Sequence, residues 1–394
     1  MKIGVLGGGQ LGRMLWEASG TLANSMEPCP IFHDEKLCPA QRAGAAITVG
    51  KIAEADRLIA FFKKLDSFAI ENEFLDIEQI QSAWENSRMS VASGLPIPSI
   101  EGLRIAQDKL EQKKFFTQNQ LPTSEYIEIT SDWLKLENVK SLQSKWRGFV
   151  LKKARMGYDG KGNLAVPPNL PFDFEKIDIF CRSAFSKESR VYAEKFIDFS
   201  KEVALVSCQT YAGDLGFYPL IETVQKNGVC YLAYVALNEQ MNEQRAQNIA
   251  AVLAKKLKFI GTFAVEFFVT ESGELLVNEM APRVHNSGHF TQTAAKNSQF
   301  QLHLKSYWQK QWDPGDFETR KAFAMVNLLG PEDVRGIVHR PKSFQCYWYD
   351  KELTSPGRKL GHMIVSSDST RELPGLIESL IETEHDWQES LRIQ

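Results

Sequence analysis

Within its first fifteen residues the chain passes from a continuous apolar run, Ile3 to Leu6, through the three glycines Gly7, Gly8 and Gly9 into a stretch whose apolar residues Leu11, Met14 and Leu15 recur at helical spacing. An apolar run without alternation is what a strand buried on both faces looks like, and such strands belong to parallel sheets covered by helices. Pro30–Phe32 and Phe68–Ile70 read as second and third strands. Between them Leu58, Ile59, Phe61, Phe62 and Leu65 form a helical stripe. Strands alternating with helices confine roughly the first hundred residues to an open, Rossmann-like parallel sheet.

The stretch Gly94-Leu95-Pro96-Ile97-Pro98-Ser99 punctuates that pattern, and a strongly charged helix is expected over Asp108 to Gln118. Beyond it, strand-like runs occur at Gly148–Lys152, Val191–Phe196, Val203–Tyr211 and Phe263–Val269, with helical periodicity over 241–258. The end of the chain reads as a smaller α+β unit, with strands at Ala322–Leu329 and Phe344–Tyr349 and a helix at Leu373–Glu384. The expected division is 1–103, 104–303 and 304–394. With 394 residues no disulfide or metal staple is needed for a core. A net charge of −3 gives no reason to expect nucleic acid or an anionic membrane as partner. Six dispersed cysteines without a C-x-x-C pair suggest neither a disulfide framework nor a zinc site. Glycine follows the first strand too soon for a signal-peptide apolar region, so a cytoplasmic location is expected.

Gly7-Gly8-Gly9-Gln10-Leu11-Gly12 matches G-x-G-x-x-G between strand and helix, with Asp34 about twenty residues further on. Such a turn lets backbone approach a phosphate or carboxylate closely. A dinucleotide, another phosphate ligand and a purely structural turn all remain open on this motif alone. Lys152-Lys153-Ala154-Arg155-Met156-Gly157-Tyr158-Asp159-Gly160-Lys161-Gly162 combines glycines and cations as a flap over a polyphosphate requires, a solvated turn being the alternative. Two apolar runs, Thr262–Val269 and Leu275–Met280, flank a turn signal. With Ser272-Gly273 as a two-residue turn, Glu266 falls opposite Glu279, their backbones about 5 Å apart. Two such carboxylates repel unless a cation lies between them, and oxygen donors suit Mg²⁺ that also holds phosphate. Immediately afterwards Arg283, His285, Asn286 and Ser287 crowd together as an anion pocket would. In Glu194-Lys195-Phe196-Ile197 a connector backbone could read an adenine edge and Glu202 could accept from ribose, or this is an ordinary strand with solvated ends. Trp348–Glu352 and Pro356–His362 read as a basic turn.

Taken in order, GGGQLGRML (Gly7–Leu15), KKARMGYDGKGN (Lys152–Asn163), EKFIDFSKEV (Glu194–Val203), NEMAPRVHNSGHFT (Asn278–Thr291) and PGRKLGH (Pro356–His362) resemble the N5-carboxyaminoimidazole ribonucleotide synthases, ATP-grasp enzymes of purine synthesis. The resemblance implies a glycine-rich α/β domain, a central ATP-grasp domain and a small C-terminal domain, assembled as a homodimer. It implies ATP, two Mg²⁺ ions, bicarbonate and 5-aminoimidazole ribonucleotide, with carboxyphosphate as intermediate. It further implies that Lys109, Lys152, Gly157, Asp159, Gly160, Lys161, Glu194, Lys195, Phe196, Ile197 and Glu202 bind ATP. Glu266 and Glu279 would hold metal, and Arg283, His285, Asn286 and Lys351 would act in catalysis. The ribonucleotide would be held by Gly9, Gln10, Leu11, Glu73, Tyr158, Asp159, Lys161, Lys351, Arg358 and Lys359.

Departures from the family pattern are Lys109 in place of Arg, Lys153-Ala154 in place of Thr-Arg, Met156 in place of Gly, and Val284 in place of Pro. Residues 21–31 follow the pattern poorly. Rival readings are an ATP-grasp ligase for a different acid and amine, a dinucleotide-dependent oxidoreductase resting on Gly7–Gly12 and Asp34, and an inactive ATP-binding regulator.

Overall fold

The computed structural model describes residues 1–88, 96–155, 162–167, 171–341 and 345–392. Its N-terminal part is a four-stranded parallel sheet in the order Ile47–Val49, Ile31–His33, Ile3–Leu6, Ser67–Ile70. The two central strands and Ser67–Ile70 are almost wholly buried, as their unbroken apolar runs require, with the helices Gln10–Thr21 and Ala55–Phe62 packed against them. The edge strand Ile47–Val49 is half-exposed and short, which is why its sequence carries no buried-strand signal. Ligands of open parallel sheets gather beyond the carboxyl ends of the strands, and here those ends deliver the glycine turn and Glu73.

Two antiparallel sheets follow. A four-stranded one runs Tyr126–Ile129, Val191–Lys195, Phe149–Lys153, Asn163–Val166, closed over by the helices Leu136–Trp146 and Phe174–Phe185. A nine-stranded one begins at the hairpin Gly261–Thr270/Leu275–Ala281 and crosses Phe199–Gln209, Ile221–Lys226 and Val229–Val235. It continues into Ala322–Leu329, Lys359–Ser367 and Gln345–Trp348, while Leu215–Phe217 pairs with Phe199–Gln209. The long helix Gln240–Leu257 packs its Ala246, Ile249, Ala250, Leu253 and Leu257 face on this sheet.

Two expectations are corrected. The segment from Lys359 onward does form a hairpin with Gln345–Trp348, but it is a central strand and not part of a solvated turn, with Leu360 to Ile364 buried between two neighbours. Only Pro356-Gly357-Arg358 turns, with Gly357 at φ +69°. The C-terminal helix runs Leu373–Arg392, well past the expected Glu384, because Trp387 and Leu391 extend its apolar stripe onto Ala322–Leu329. Among the described residues no helix is long and apolar enough to cross a membrane.

Candidate active site

A cavity of about 820 Å³ opens where the three parts of the chain meet. Its walls include Gln10, Leu11 and Glu73 from the first part, Lys109, Lys152, Glu202, Glu266, Glu279, Arg283, His285 and Asn286 from the middle, and Lys351, Arg358 and Lys359 from the end. Volumes of roughly 300–1,000 Å³ are those of small-molecule sites. Gly157, Tyr158, Asp159, Gly160 and Lys161, named from the sequence, lie outside the described residues.

The facing glutamates arise from two compensating details of the hairpin. The turn is a three-residue loop, not the expected two: the Thr270 amide donates to the Glu274 carbonyl (3.0 Å), with Gly273 at φ +77°. A β-bulge then makes Asn278 an extra residue opposite Glu266 and Phe267, and this restores the pairing of Glu266 with Glu279. Burial raises both carboxyls, but Lys109, bonded to Glu279, holds that group below the ordinary range. Among the described residues no lysine or arginine is bonded to Glu266; burial, then the charges of Glu279 and Glu202, push it up to about 8. An ammonium seated on one carboxylate while the other resists ionisation is the signature of a donor set short of positive charge. Two hard oxygen donors with room for phosphate and water oxygens fit Mg²⁺. Among the described residues no cluster of three or more His, Cys, Asp or Glu side chains could hold a metal without such outside ligands.

Lys109 reaches the cavity because Asp108 caps the helix Lys109–Gln118. Its Oδ1 accepts from the Leu110 and Glu111 amides (3.1 Å each), and its Oδ2 holds Arg190 (2.7 Å) and Arg155 (3.2 Å). The Lys109 amide donates to the Ala154 carbonyl (2.7 Å), which ties the first lysine to the strand carrying the second. Lys152 extends from that strand to Glu194 Oε2 (2.5 Å). The other oxygen of Glu194 accepts from Lys113, at 2.6 Å, and from the Ser124 hydroxyl; the Lys113 side chain is 1% exposed and its ammonium also bonds the Thr123 and Ser124 hydroxyls (2.8 and 2.9 Å). Burial works to raise the Glu194 carboxyl, yet the two lysines hold it well below the usual carboxylate range. Burial and Lys152 pull Lys113 down despite Glu194. Sequence reading missed Lys113, since a lysine in a charged helix looks solvated.

The adenine connector Glu194–Ile197 is not part of the lining of this cavity, and its Lys195, Phe196 and Ile197 are half-buried. The Lys195 and Phe196 amides are spent on the Glu125 and Gly148 carbonyls (2.9 and 3.0 Å). Glu202 lies on the wall, held by Gln225 (3.0 Å), and burial raises its carboxyl.

Arg283 makes a bidentate pair with Glu73, at 2.5 and 3.1 Å, so its charge is already partnered across the first and second parts of the chain. His285 lies 3.4 Å from Glu266, with Nδ1 2.9 Å from the Ser287 hydroxyl. Burial, then Arg283, lowers its pKa to about 3, so the imidazole is neutral and contributes hydrogen bonds to the pocket. Gln299 grips the His285 backbone from both sides, accepting from its amide (2.9 Å) and donating to its carbonyl (2.7 Å). Asn286 exchanges amide hydrogen bonds with the fully buried Asn327 (3.0 and 2.7 Å). Neither Gln299 nor Asn327 carries a sequence signal. Val284 stands where the family pattern has proline; it is fully buried against the N-terminal core, and that packing fixes the loop.

At the opposite wall Lys351 donates to Gln10 Oε1 (2.8 Å) and to the Lys359 carbonyl (2.6 Å), while Arg358 is exposed and donates to the Leu353 carbonyl (2.7 Å). Gly9 is not on the wall: its amide donates to Glu71 Oε1 (2.9 Å). Sequence reading passed over Glu71.

Comparison with known proteins matches residues 1–107 to the ribonucleotide synthetase preATP-grasp domain, 114–300 to the ATP-grasp domain, and 324–374 to the phosphoribosylaminoimidazole carboxylase C-terminal domain. The chain is 30% identical to the N5-carboxyaminoimidazole ribonucleotide synthase of Vibrio cholerae, covering 95% of this chain and 93% of that one. It is also 30% identical to the phosphoribosylaminoimidazole carboxylase of Candida albicans, over 94% of this chain, and spans only 64% of that longer relative. Among solved structures, the N5-carboxyaminoimidazole ribonucleotide synthetase of Thermus thermophilus superposes with a TM-score of 0.80 at 28% identity, covering 97% of this chain and 98% of that one. The N5-carboxyaminoimidazole synthase of Aspergillus clavatus, in complex with ADP and 5-aminoimidazole ribonucleotide, gives 0.81 at 26% identity, covering 98% of each chain.

Proposed function

This chain belongs to the N5-carboxyaminoimidazole ribonucleotide synthase family, and from that membership we propose that it carboxylates 5-aminoimidazole ribonucleotide with bicarbonate at the expense of ATP. In the first step a bicarbonate oxygen attacks the γ-phosphorus of ATP; the bond to the β-phosphate oxygen breaks, leaving ADP and carboxyphosphate. In the second the exocyclic amine of the ribonucleotide attacks the carboxyl carbon, phosphate leaves, and the nitrogen loses a proton. The observation that carries this reading is one cavity joining Glu266 and Glu279, Lys109 and Lys152, and Arg283, His285 and Asn286 to the cations Lys351, Arg358 and Lys359 on its far side. Two anions and a nucleotide must meet there while charge develops, which calls for positioned cations and little water.

In this reading Lys109 and Lys152 contact the ATP phosphates and Glu202 the ribose, with the adenine taken by the connector Glu194–Ile197. Glu266 and Glu279 hold Mg²⁺, which when bound offsets phosphate charge. Arg283 and Asn286 seat bicarbonate, and His285 adds neutral hydrogen bonding. Gln10, Leu11, Glu73, Lys351, Arg358 and Lys359 orient the ribonucleotide together with the loop 157–161. A cytoplasmic homodimer, implied by the family likeness, completes the proposal and is checked by gel filtration and fractionation. The deciding assay is ADP release with bicarbonate and ribonucleotide each omitted in turn. Full release is expected only with both; equal release with a different amine or acid assigns the chain to another ATP-grasp chemistry.

A further inference from the structure

The glycine fingerprint is the one motif that the proposed function does not absorb, and its surroundings explain it differently from a ligand-binding loop. The Gly9 and Gly12 amides, at the start of the helix Gln10–Thr21, both donate to the carboxylate of Glu71, at 2.9 and 2.8 Å. The Gly8 amide donates to His33 Nδ1 (3.2 Å) and the Gly7 amide to the Phe32 carbonyl (2.9 Å). The Gly7, Gly8, Gly9 and Gly12 amides are therefore satisfied from within the chain. The glycines themselves are required by this arrangement. A Cβ on Gly7 would stand 2.2 Å from Glu71 Cγ, one on Gly9 2.7 Å from Oε1, and one on Gly12 3.0 Å from Oε2. Gly7 and Gly9 make room for one carboxylate, while a Cβ on Gly12 would first meet the Gly7 carbonyl oxygen at 2.2 Å; that carboxylate holds the place that the positive end of a helix offers to an anion.

The same carboxylate stands two residues before Glu73, whose partner is Arg283. The helix turn it holds carries Gln10, which accepts from Lys351, and Arg13, which pairs with Asp350. The loop bearing Lys351 thus docks on a helix start whose position Glu71 sets.

We propose that Glu71 is a positioning residue of the ribonucleotide site, its carboxylate occupying the anion seat of the glycine turn and thereby fixing Gln10 and Lys351 at the cavity wall. This rests on the functional reading above for the identity of the substrate, but not for the seat itself. It also removes the dinucleotide reading of Gly7–Gly12, because a pyrophosphate would have to displace a like-charged carboxylate from the same amides.

The test is Glu71→Gln, which keeps the shape but turns an NH₂ toward one of the two donating amides, with Glu71→Asp as the conservative rescue. Loss of a charge-assisted contact predicts a KM for ribonucleotide raised about tenfold or more. The KM for ATP and the ADP release seen without ribonucleotide should be unchanged, and Glu71→Asp should recover part of the loss. In Glu71→Ala, added formate should restore the ribonucleotide KM by refilling the seat. An unchanged ribonucleotide KM in folded Glu71→Gln, or an equal loss in the ATP half-reaction, overturns the proposal. If the variants fail to fold, hydrogen exchange on the wild-type protein decides. Gly9 and Gly12 amides protected without any ligand support the seat, and exchange as fast as in an open loop refutes it. Absence of any ribonucleotide-dependent ADP release in wild type would sink the functional reading instead, leaving the amide protection to judge the seat.

Discussion

Replacing Glu194 with Gln removes the single negative charge that lies between two lysines, and its cost can be worked out from the geometry. Lys113 Nζ is 2.6 Å from one carboxylate oxygen and its remaining close side-chain contacts are neutral hydroxyls. Lys152 Nζ is 2.5 Å from the other oxygen, at the cavity wall. After substitution Lys152 can turn toward the cavity, but Lys113, 1% exposed, cannot reach water. Breaking a buried pair by removing one partner costs about 3–5 kcal/mol. An upper bound follows from the alternative open to Lys113, which is to lose its proton. At pH 7, deprotonating an amine of ordinary pKa costs about 4.6 kcal/mol. We therefore expect Glu194→Gln to lose about 3–4.6 kcal/mol, a fall of about 1–1.5 M in urea midpoint for an m-value near 3 kcal/mol/M. The ceiling drops by about 1.4 kcal/mol per pH unit, so at pH 9 the deficit should be below about 2 kcal/mol. Adding Lys113→Met to the variant should recover most of the loss. Urea unfolding followed by circular dichroism at pH 7 and 9 measures all of this. A loss under 1 kcal/mol at pH 7, or one that does not shrink toward pH 9, would refute the reasoning.

His289, His303 and His362 are buried and held neutral, the last two at about 4 and about 3, chiefly by burial. The unfolded chain binds protons on them and on His285 below pH about 6.5 while the folded chain does not, and Glu266, raised to about 8, offsets one of the four, so stability falls as pH drops from about 6.5 toward 5 by up to about 4 kcal/mol per unit; a flat urea midpoint over that window contradicts it. Asn327→Leu should cost about 1–3 kcal/mol by stranding the Asn286 side-chain amide, and should raise the KM for bicarbonate in ADP release while sparing that for ATP. Lys109→Met should abolish turnover yet tighten Mn²⁺ binding without nucleotide, read by electron paramagnetic resonance, because the ammonium no longer competes for Glu279; unchanged Mn²⁺ affinity would separate Lys109 from the metal seat. Arg358→Ala should weaken ribonucleotide dependence of ADP release by more than about tenfold, the worth of a charge-assisted contact, and equal dependence in both proteins would reduce its turn to scaffolding.

Where the chain announces its structure, it does so through apolar periodicity. Ile3–Leu6 and Ala322–Leu329, the second interrupted only by Asn327, read directly from their apolar runs because burial on both faces leaves no other pattern. The opposition of Glu266 and Glu279 was also legible, but the register comes from a turn one residue longer than expected and a compensating bulge at Asn278 that no periodicity reveals. Polar groups that act inside the protein were the hidden part. Lys113, Glu71, Gln299 and Asn327 look solvated in sequence, and only the partners folded against them show otherwise. Lys359–Ser367 was obscured by the cations and glycines before it, which signal a turn more strongly than Leu360, Met363 and Ile364 signal a strand.

The strand Ala322–Leu329 is hydrogen-bonded to Val229–Val235 on one side and Lys359–Ser367 on the other. The last part of the chain is therefore not an appendage that could be trimmed, exchanged or swung on a hinge. A chain cut after residue 303 would leave Val229–Val235 as an open, apolar sheet edge, the kind that recruits a second chain and aggregates. The turn bearing Arg358 and Lys359 leads directly into the same continuous sheet as Glu266 and Glu279, so these groups share one framework, whereas Lys152 stands on a separate, smaller sheet.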